Sequence, residues 1–293
     1  MTDNTWTDGT GNHQASDPAN WSSGQTPTPG DFLILPTGST IDIRDNDLQE
    51  DTLNIFGGVG EPTTNVHLSH HADARLGFGD ERTVVTVQGV DTLQTQSLGG
   101  TVHLLPHARL FGTLNQVGSG TRLTFVGDEG ARYINNGNST LTGADVIMDV
   151  PVVGSGTFNV GPIGGISNVH GSSLEFGGFV SSGQTVQVSG GSKANVAEST
   201  VQMDQPREFH GTLDLFRLGV ADLVGLSQAD HWSYKNDMLS IYNGCGSVVD
   251  KLHVVSDAFG SSVHGLSVST ASSGDVLVRP GTDFSGSLVV PTT

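Results

Sequence analysis

The sequence predicts an all-β chain: a right-handed parallel β-helix of stacked coils, with an N-terminal cap and a β-rich C-terminal module. Three observations carry this. Short runs of Val, Ile, Leu, Phe and Thr alternate with polar residues at period two, the pattern of a half-buried strand. The 41 glycines fall between those runs, beside Asn, Asp and Ser, where they act as corners rather than as a flexible tract. Aromatic residues make up only 6% of the chain, which suits stacked flat sheets better than the thick core of a two-sheet sandwich, the structural alternative.

In order, the expected strands are FLILP (32–36), STIDI (39–43), DTLNIF (51–56), NVHLSH (65–70), TVVTVQ (83–88), TVHLLP (101–106) and TRLTFV (121–126). The second half adds DVIMDV (145–150), GTFNV (156–160), SSLEF (172–176), QTVQV (184–188), STVQM (199–203) and GTLDLF (211–216). The commonest local form is Thr or Ser, apolar, polar, apolar, with Gly nearby. Starts recur every 10 to 25 residues, which fits coils of ~20 or more residues that each add one rung. One helix is expected within 217–231, where Leu218, Val220, Leu223, Val224 and Leu226 give an apolar face weakened by Gly219 and Gly225. Residues 1–31 hold Trp6 and Trp21 and form the cap or assembly segment, 32–216 the solenoid, and 217–293 the C-terminal module.

The formal charge of −18 argues against nucleic acid and anionic membrane surfaces, which need Lys and Arg to neutralise phosphates. Cys245 is the single cysteine, so no intrachain disulfide framework exists. No run approaches the ~18 to 20 apolar residues of a membrane span, and the first residues lack the basic and apolar regions of a secretory signal.

Trp6, Gly9, Gly11, Asn20, Trp21, Gly24, Pro29, Gly30 and Asp31 resemble the opening of passenger regions in bacterial autotransporter and haemagglutinin-like surface proteins. His13 stands where that pattern often has a further Trp. The segment from Gly211 to Val255 is similar to a module near the ends of large repeat-containing bacterial surface proteins. These resemblances imply a secreted β-solenoid and no particular enzyme class; the last 35 residues, with two Phe and no Trp or Tyr, depart from the aromatic-ringed outer-membrane barrel that autotransporters carry. They point to an extracellular or cell-surface station reached without a visible N-terminal signal.

Asp42, Asp45 and Asp47, followed by Glu50 and Asp51, form the densest acidic run. Hard cations such as Ca²⁺ take six to eight oxygens, so a carboxylate-rich loop between strands is a candidate calcium site, set against a solvated acidic turn. His67 and His71 share a strand face and with Asp73 are candidate zinc ligands, against exposed strand histidines; His70 points away. His103 and His107 repeat that spacing across Pro106. Asp145, Asp149, Glu175, Asp204 and Asp214, with Arg122, Arg132 and Arg207, are the raw material for a polysaccharide-cleaving groove, although no spacing selects a pair. Trp6, Trp21 and Asn20 read as a plug over the open end of the solenoid, whose backbone groups would otherwise pair with another chain.

The expected function is therefore structural: an extracellular surface adhesin or a self-assembling filament or biofilm-matrix subunit, with no catalytic step. Its expected partners are itself, head to tail, and glycans, with no nucleic acid and no membrane insertion. The alternative is a polysaccharide-binding or polysaccharide-degrading β-helix, tailspike-like proteins included.

Overall fold

The computed structural model describes residues 3–28, 31–36, 38–44, 52–56, 63–69, 72–77, 83–96, 98–117, 122–161, 171–190, 198–216, 218–257, 265–281, 283 and 285–288. Within them the chain is a parallel β-solenoid built on two sheets. Each coil lays one strand in the first sheet, turns, and lays the next in the second. The strand pairs are Phe32–Pro36 with Thr40–Arg44, Thr52–Phe56 with Thr64–Ser69, Asp73–Gly77 with Thr83–Gln88, and Val90–Gln96 with Gly100–Leu104. Arg109–Val117 with Arg122–Gly127, Asn138–Thr142 with Asp145–Asp149, and Thr157–Val160 with Ser173–Phe176 follow. The last are Thr185–Ser189 with Ser199–Met203, and Thr212–Phe216 with Gly219–Leu223. Coil length varies: Leu141 meets Val160 after 19 residues, and Phe158 meets Val186 after 28.

Parallel, in-register stacking turns the period-two alternation of each strand into columns. On the inner side of the second sheet one column runs Ile41, Val66, Val85, Val102, Phe125, Met148, Phe176, Met203 and Leu223, all buried. The core thus carries more large side chains than composition alone suggests. Phe125, Tyr133, Phe158, Phe176 and Phe209 form a chain of ring contacts at centroid spacings of 5.3, 6.5, 5.7 and 6.0 Å. Polar interior residues bond to one another: the Gln116 side-chain amide donates to Thr95 Oγ1 at 2.7 Å, and Gln184 donates to the carbonyls of Asn135 and Val153.

The helix expected within 217–231 does not form. Gly219–Leu223 instead pairs in parallel with Ser199–Met203, and Ala229–Lys235 opens an antiparallel meander. Two glycines remove the helical preference, and the open edge of the second sheet offers backbone partners that an isolated helix would lack. A side chain at Gly219 would also strike the carbonyl of Val188, so only glycine allows this strand to approach so closely. Among the described residues, helix is confined to the three-residue 3-10 turns Pro18–Asn20 and Pro206–Glu208.

After Leu223 the parallel regime ends. Val248–Asp257 lies parallel on Thr212–Phe216 and is followed outward by Met238–Asn243, Ala229–Lys235 and Ser285–Ser287, each antiparallel to its neighbour. On the second sheet Val276–Gly281 packs antiparallel on Gly219–Leu223, with Gly265–Thr270 outside it. Trp232 and Tyr234 are buried beneath this module, and the Tyr234 hydroxyl donates to the Val254 carbonyl at 2.8 Å.

Candidate functional site

Residues 3–22 cover the other end. Asp3–Thr5 pairs in parallel with Phe32–Ile34 of the first sheet, and Gln14 bridges Asp42 of the second, so the backbone of this segment engages both terminal strands. The Trp6 amide donates to the Ile34 carbonyl and the Ala15 amide to the Asp42 carbonyl, both at 2.9 Å. Inside, Trp6 and Trp21 meet edge to face at 5.2 Å, each 2% exposed. The Trp21 indole N–H donates to the Ala15 carbonyl at 2.8 Å. Fully buried Asn20 holds the surrounding loop: Oδ1 accepts from the Thr10 amide and hydroxyl, and Nδ2 donates to Asn12 Oδ1 and the Gln14 carbonyl. Backbone pairing closes this end, and the two indoles fill the space behind it.

The outward side of the first sheet repeats one chemistry. One column runs Gln96, Asn115, Thr140, Asn159, Gln187 and Asp214, each residue in register with the next. Beside it Asn138, Thr157, Thr185 and Thr212 form a second column that ends on His253, whose Nδ1 lies 2.9 Å from Thr212 Oγ1. Rung after rung therefore presents a hydroxyl or amide two residues from an amide or hydroxyl: Thr113 and Asn115, Asn138 and Thr140, Thr157 and Asn159, Thr185 and Gln187. At one end Arg75, Gln94, Gln96, Thr113 and Asn115 line a shallow hollow of about 150 Å³. Gly77, in register with Gln96, leaves room above that residue.

The outward side of the second sheet carries charge. Asp42 pairs with His67, and Arg122 with Asp145, whose carboxylate accepts from the Ser173 hydroxyl at 2.7 Å. Glu175 is in register with Gln202 and, two rungs on, Asp222. Asp204, which accepts from the Gln202 side-chain amide at 2.8 Å, lies beside Glu175, and Gly177, which would touch Asp149 Oδ1 if it bore a side chain, keeps a gap there. Burial pushes the Glu175 carboxyl above its ordinary value; Asp204 and Asp149 add repulsion, and Arg122 opposes them. Burial also raises Asp222, reinforced by Asp275 and Asp204 and opposed by Arg279.

The structure thus brings Asp149, Glu175, Asp204 and Arg122 together, with Asp145 in register beside Arg122, and leaves Asp214, Arg132 and Arg207 apart. Asp214 lies on the opposite face, where it accepts from the Gln187 amide at 3.1 Å. Arg207 binds the Val249 carbonyl at 3.0 Å, and Arg132 sits on the exposed side of a first-sheet strand. Of the calcium candidates, Asp42 faces Arg44 at 3.7 Å, while Asp45 and Asp47 lie outside the described residues, as do Glu50, Asp51, His70 and His71. His67 lines a hollow of about 160 Å³ with Asp42, Arg44, Thr86 and Gln88. His103 lies 3.2 Å from Asp128, and His107 occupies a turn with φ of 64°. No cluster of three or more His, Cys, Asp or Glu that could hold a metal occurs among the described residues. Cys245 is exposed at a hairpin tip. No helix among these residues is long and apolar enough to cross a membrane.

Two features escaped sequence reasoning. Asp222 and Asp275 join the acidic row because Gly219–Leu223 is a strand, a placement hidden by the helical reading of that stretch. The neutral ladder had a visible signal in the triplets Thr113-Leu-Asn115, Thr157-Phe-Asn159, Thr185-Val-Gln187 and Thr212-Leu-Asp214, whose spacing matches the coil. In comparisons with known proteins, no family model, no curated protein and no solved structure matches this chain.

Proposed function

We propose that the chain is a non-catalytic extracellular or cell-surface protein that adheres through the flank of its solenoid. Two repeating columns of amides and hydroxyls on the outward side of the first sheet carry this reading, because they offer many equivalent hydrogen-bonding rungs on a rigid support. Residues 3–22 at one end and the antiparallel module at the other favour adhesion by single rods over head-to-tail filaments, since covered ends resist edge pairing. The likeness of the Trp6 to Asp31 segment to autotransporter and haemagglutinin-like passengers supports an extracellular station. Fluorescently labelled protein should be retained on a panel of bacterial, fungal and plant cells after washing. Absence of retention from every surface would remove the reading. Electron microscopy under the same conditions separates rods from fibres. Calcium enters this proposal only through the acidic run Asp42, Asp45 and Asp47, and an unchanged melting temperature on adding Ca²⁺ would exclude it.

A second reading, cleavage of a polysaccharide, is favoured by the neighbouring carboxyls of Glu175 and Asp204, of which Glu175 is pushed above its ordinary value by burial and by Asp204, with Arg122 near enough to oppose the shift. It requires release of reducing ends or unsaturated products from a glycan panel, abolished by Glu175→Gln.

A further inference from the structure

We infer that the ladder face of the first sheet binds an uncharged, extended glycan lying along the solenoid axis, an inference that rests on the adhesive reading and names its ligand. The strip spans six rungs, from Gln94 and Gln96 to Thr212 and Asp214, roughly 25 Å at ~4.8 Å per rung. Its side chains are amides and hydroxyls that donate and accept, the complement of a polymer whose own groups are hydroxyls. Charge separates the two faces. In a chain of net charge −18, this strip holds a single carboxylate, Asp214, with Arg75 at the far end, while the second sheet's outward side carries Asp42, Asp145, Asp149, Glu175, Asp204 and Asp222. A polyanionic glycan would be repelled by the molecule as a whole, and a cationic partner would find its carboxylates on the other face. A protein partner would be expected to meet aromatic, Met or Arg anchors, and the two columns contain none. The spacing adds a geometric argument: successive rungs repeat the same pair of groups in register, so a polymer of identical units meets equivalent contacts along its length.

The test uses the full chain and defined probes: hexasaccharides of β-glucan, xylan and mannan, with polygalacturonate and alginate as charged counterparts. Wild type should bind at least one neutral probe saturably and neither acidic polymer. The variant Asn159→Asp places one carboxylate mid-strip, between Thr140 and Gln187, without changing side-chain volume and should weaken that binding at least tenfold. Thr157→Val, Thr185→Val removes hydroxyls without adding charge and should weaken it several-fold. Thr86→Glu, Thr101→Glu on the other face should leave it unchanged, and melting temperatures should show all three variants folded. Binding to no neutral glycan, or binding indifferent to both strip variants, overturns the inference. The cell-retention assay separates this from the parent reading: if wild type and the strip variants are retained equally, adhesion stands and the ladder is not its site. If wild type is not retained and binds no glycan, both fall.

Discussion

Trp6 and Trp21 allow one substitution to be made twice in one small core with different expected outcomes. Both indoles are 2% exposed and touch each other, so Trp→Phe removes nearly the same volume at either position. The hydrogen bonds differ. Trp21 Nε1 donates to the Ala15 carbonyl at 2.8 Å, whereas buried Trp6 Nε1 has no partner among the described residues. Trp21→Phe leaves the Ala15 carbonyl unpaired in the core and should cost about 1–3 kcal/mol beyond the volume term. Trp6→Phe discards a donor already unsatisfied and should recover part of its cavity cost, so it should be the milder change by about that margin. Truncation of Trp21 to Ala should cost about 3–5 kcal/mol. A solenoid's stability is close to a sum of local terms, so the loss should remain near one end. Hydrogen exchange should therefore show faster opening across 3–22 and 32–44 in Trp21→Ala, with protection across 185–223 unchanged. Equal destabilisation by the two Trp→Phe variants, or uniform loss of protection along the rod, would refute the account of the cap.

Three further outcomes follow from the same coordinates. Gln184→Leu removes bonds to the Asn135 and Val153 carbonyls and to the Asn135 side chain, and should lower stability by about 2–4 kcal/mol in urea denaturation. Gly100 adopts φ of 116° with the Thr83 carbonyl where a side chain would stand, so Gly100→Ala should cost at least ~2 kcal/mol in the same assay. The raised carboxyls set a pH dependence. Folded Glu175 and Asp222 retain protons that the unfolded chain gives up near 4.5 and 3.8, so stability falls as pH rises from those values through the raised folded ones. Melting temperature should accordingly increase as pH is lowered from 7 toward those unfolded values. Relief of general charge repulsion acts in the same direction, so the diagnostic result is a shallower slope in Glu175→Gln, Asp222→Asn; an identical slope in variant and wild type would contradict the assignment.

The strands that alternate β-branched or aliphatic residues with polar ones were legible in the sequence, because a column of identical strands rewards that alternation at every rung. Two of those that escaped have polar or small inward positions. Val90–Gln96 points Asp91, Leu93 and Thr95 inward, and Asn138–Thr142 points Ser139 and Leu141. Such residues are tolerated because the coil above or below supplies a partner: Asp91 accepts from the Ala72 amide, and Ser139 Oγ from the Leu114 amide. Those partners lie 19 and 25 residues away, beyond the reach of a local pattern. For the candidate site the same limit applied. Asp149, Glu175, Asp204 and Arg122 were visible as residues, but their convergence depends on coil lengths that vary from rung to rung.

In-register stacking offers a structural explanation for the neutral ladder, and its strength decides how much function that ladder can support. Identical charges in one column would sit one rung apart, ~4.8 Å, and repel, so neutral side chains are the simplest occupants of any solenoid face. The second sheet obeys the same geometry and still carries charge. It does so by alternating sign or by spacing: Arg122 with Asp145, and Asp149 separated from Asp204 by Gly177. Stacking therefore excludes like-charge columns without requiring neutral ones, and the first sheet could have carried alternating charges too. Instead, between Arg75 and Asp214 the two ladder columns carry only amides and hydroxyls, with Arg109, Phe111 and Arg132 beside them on the same sheet. Neutrality along these two columns is a property of this sequence rather than of the fold, which is why a single carboxylate introduced at Asn159, between Thr140 and Gln187, probes recognition more directly than it probes stability.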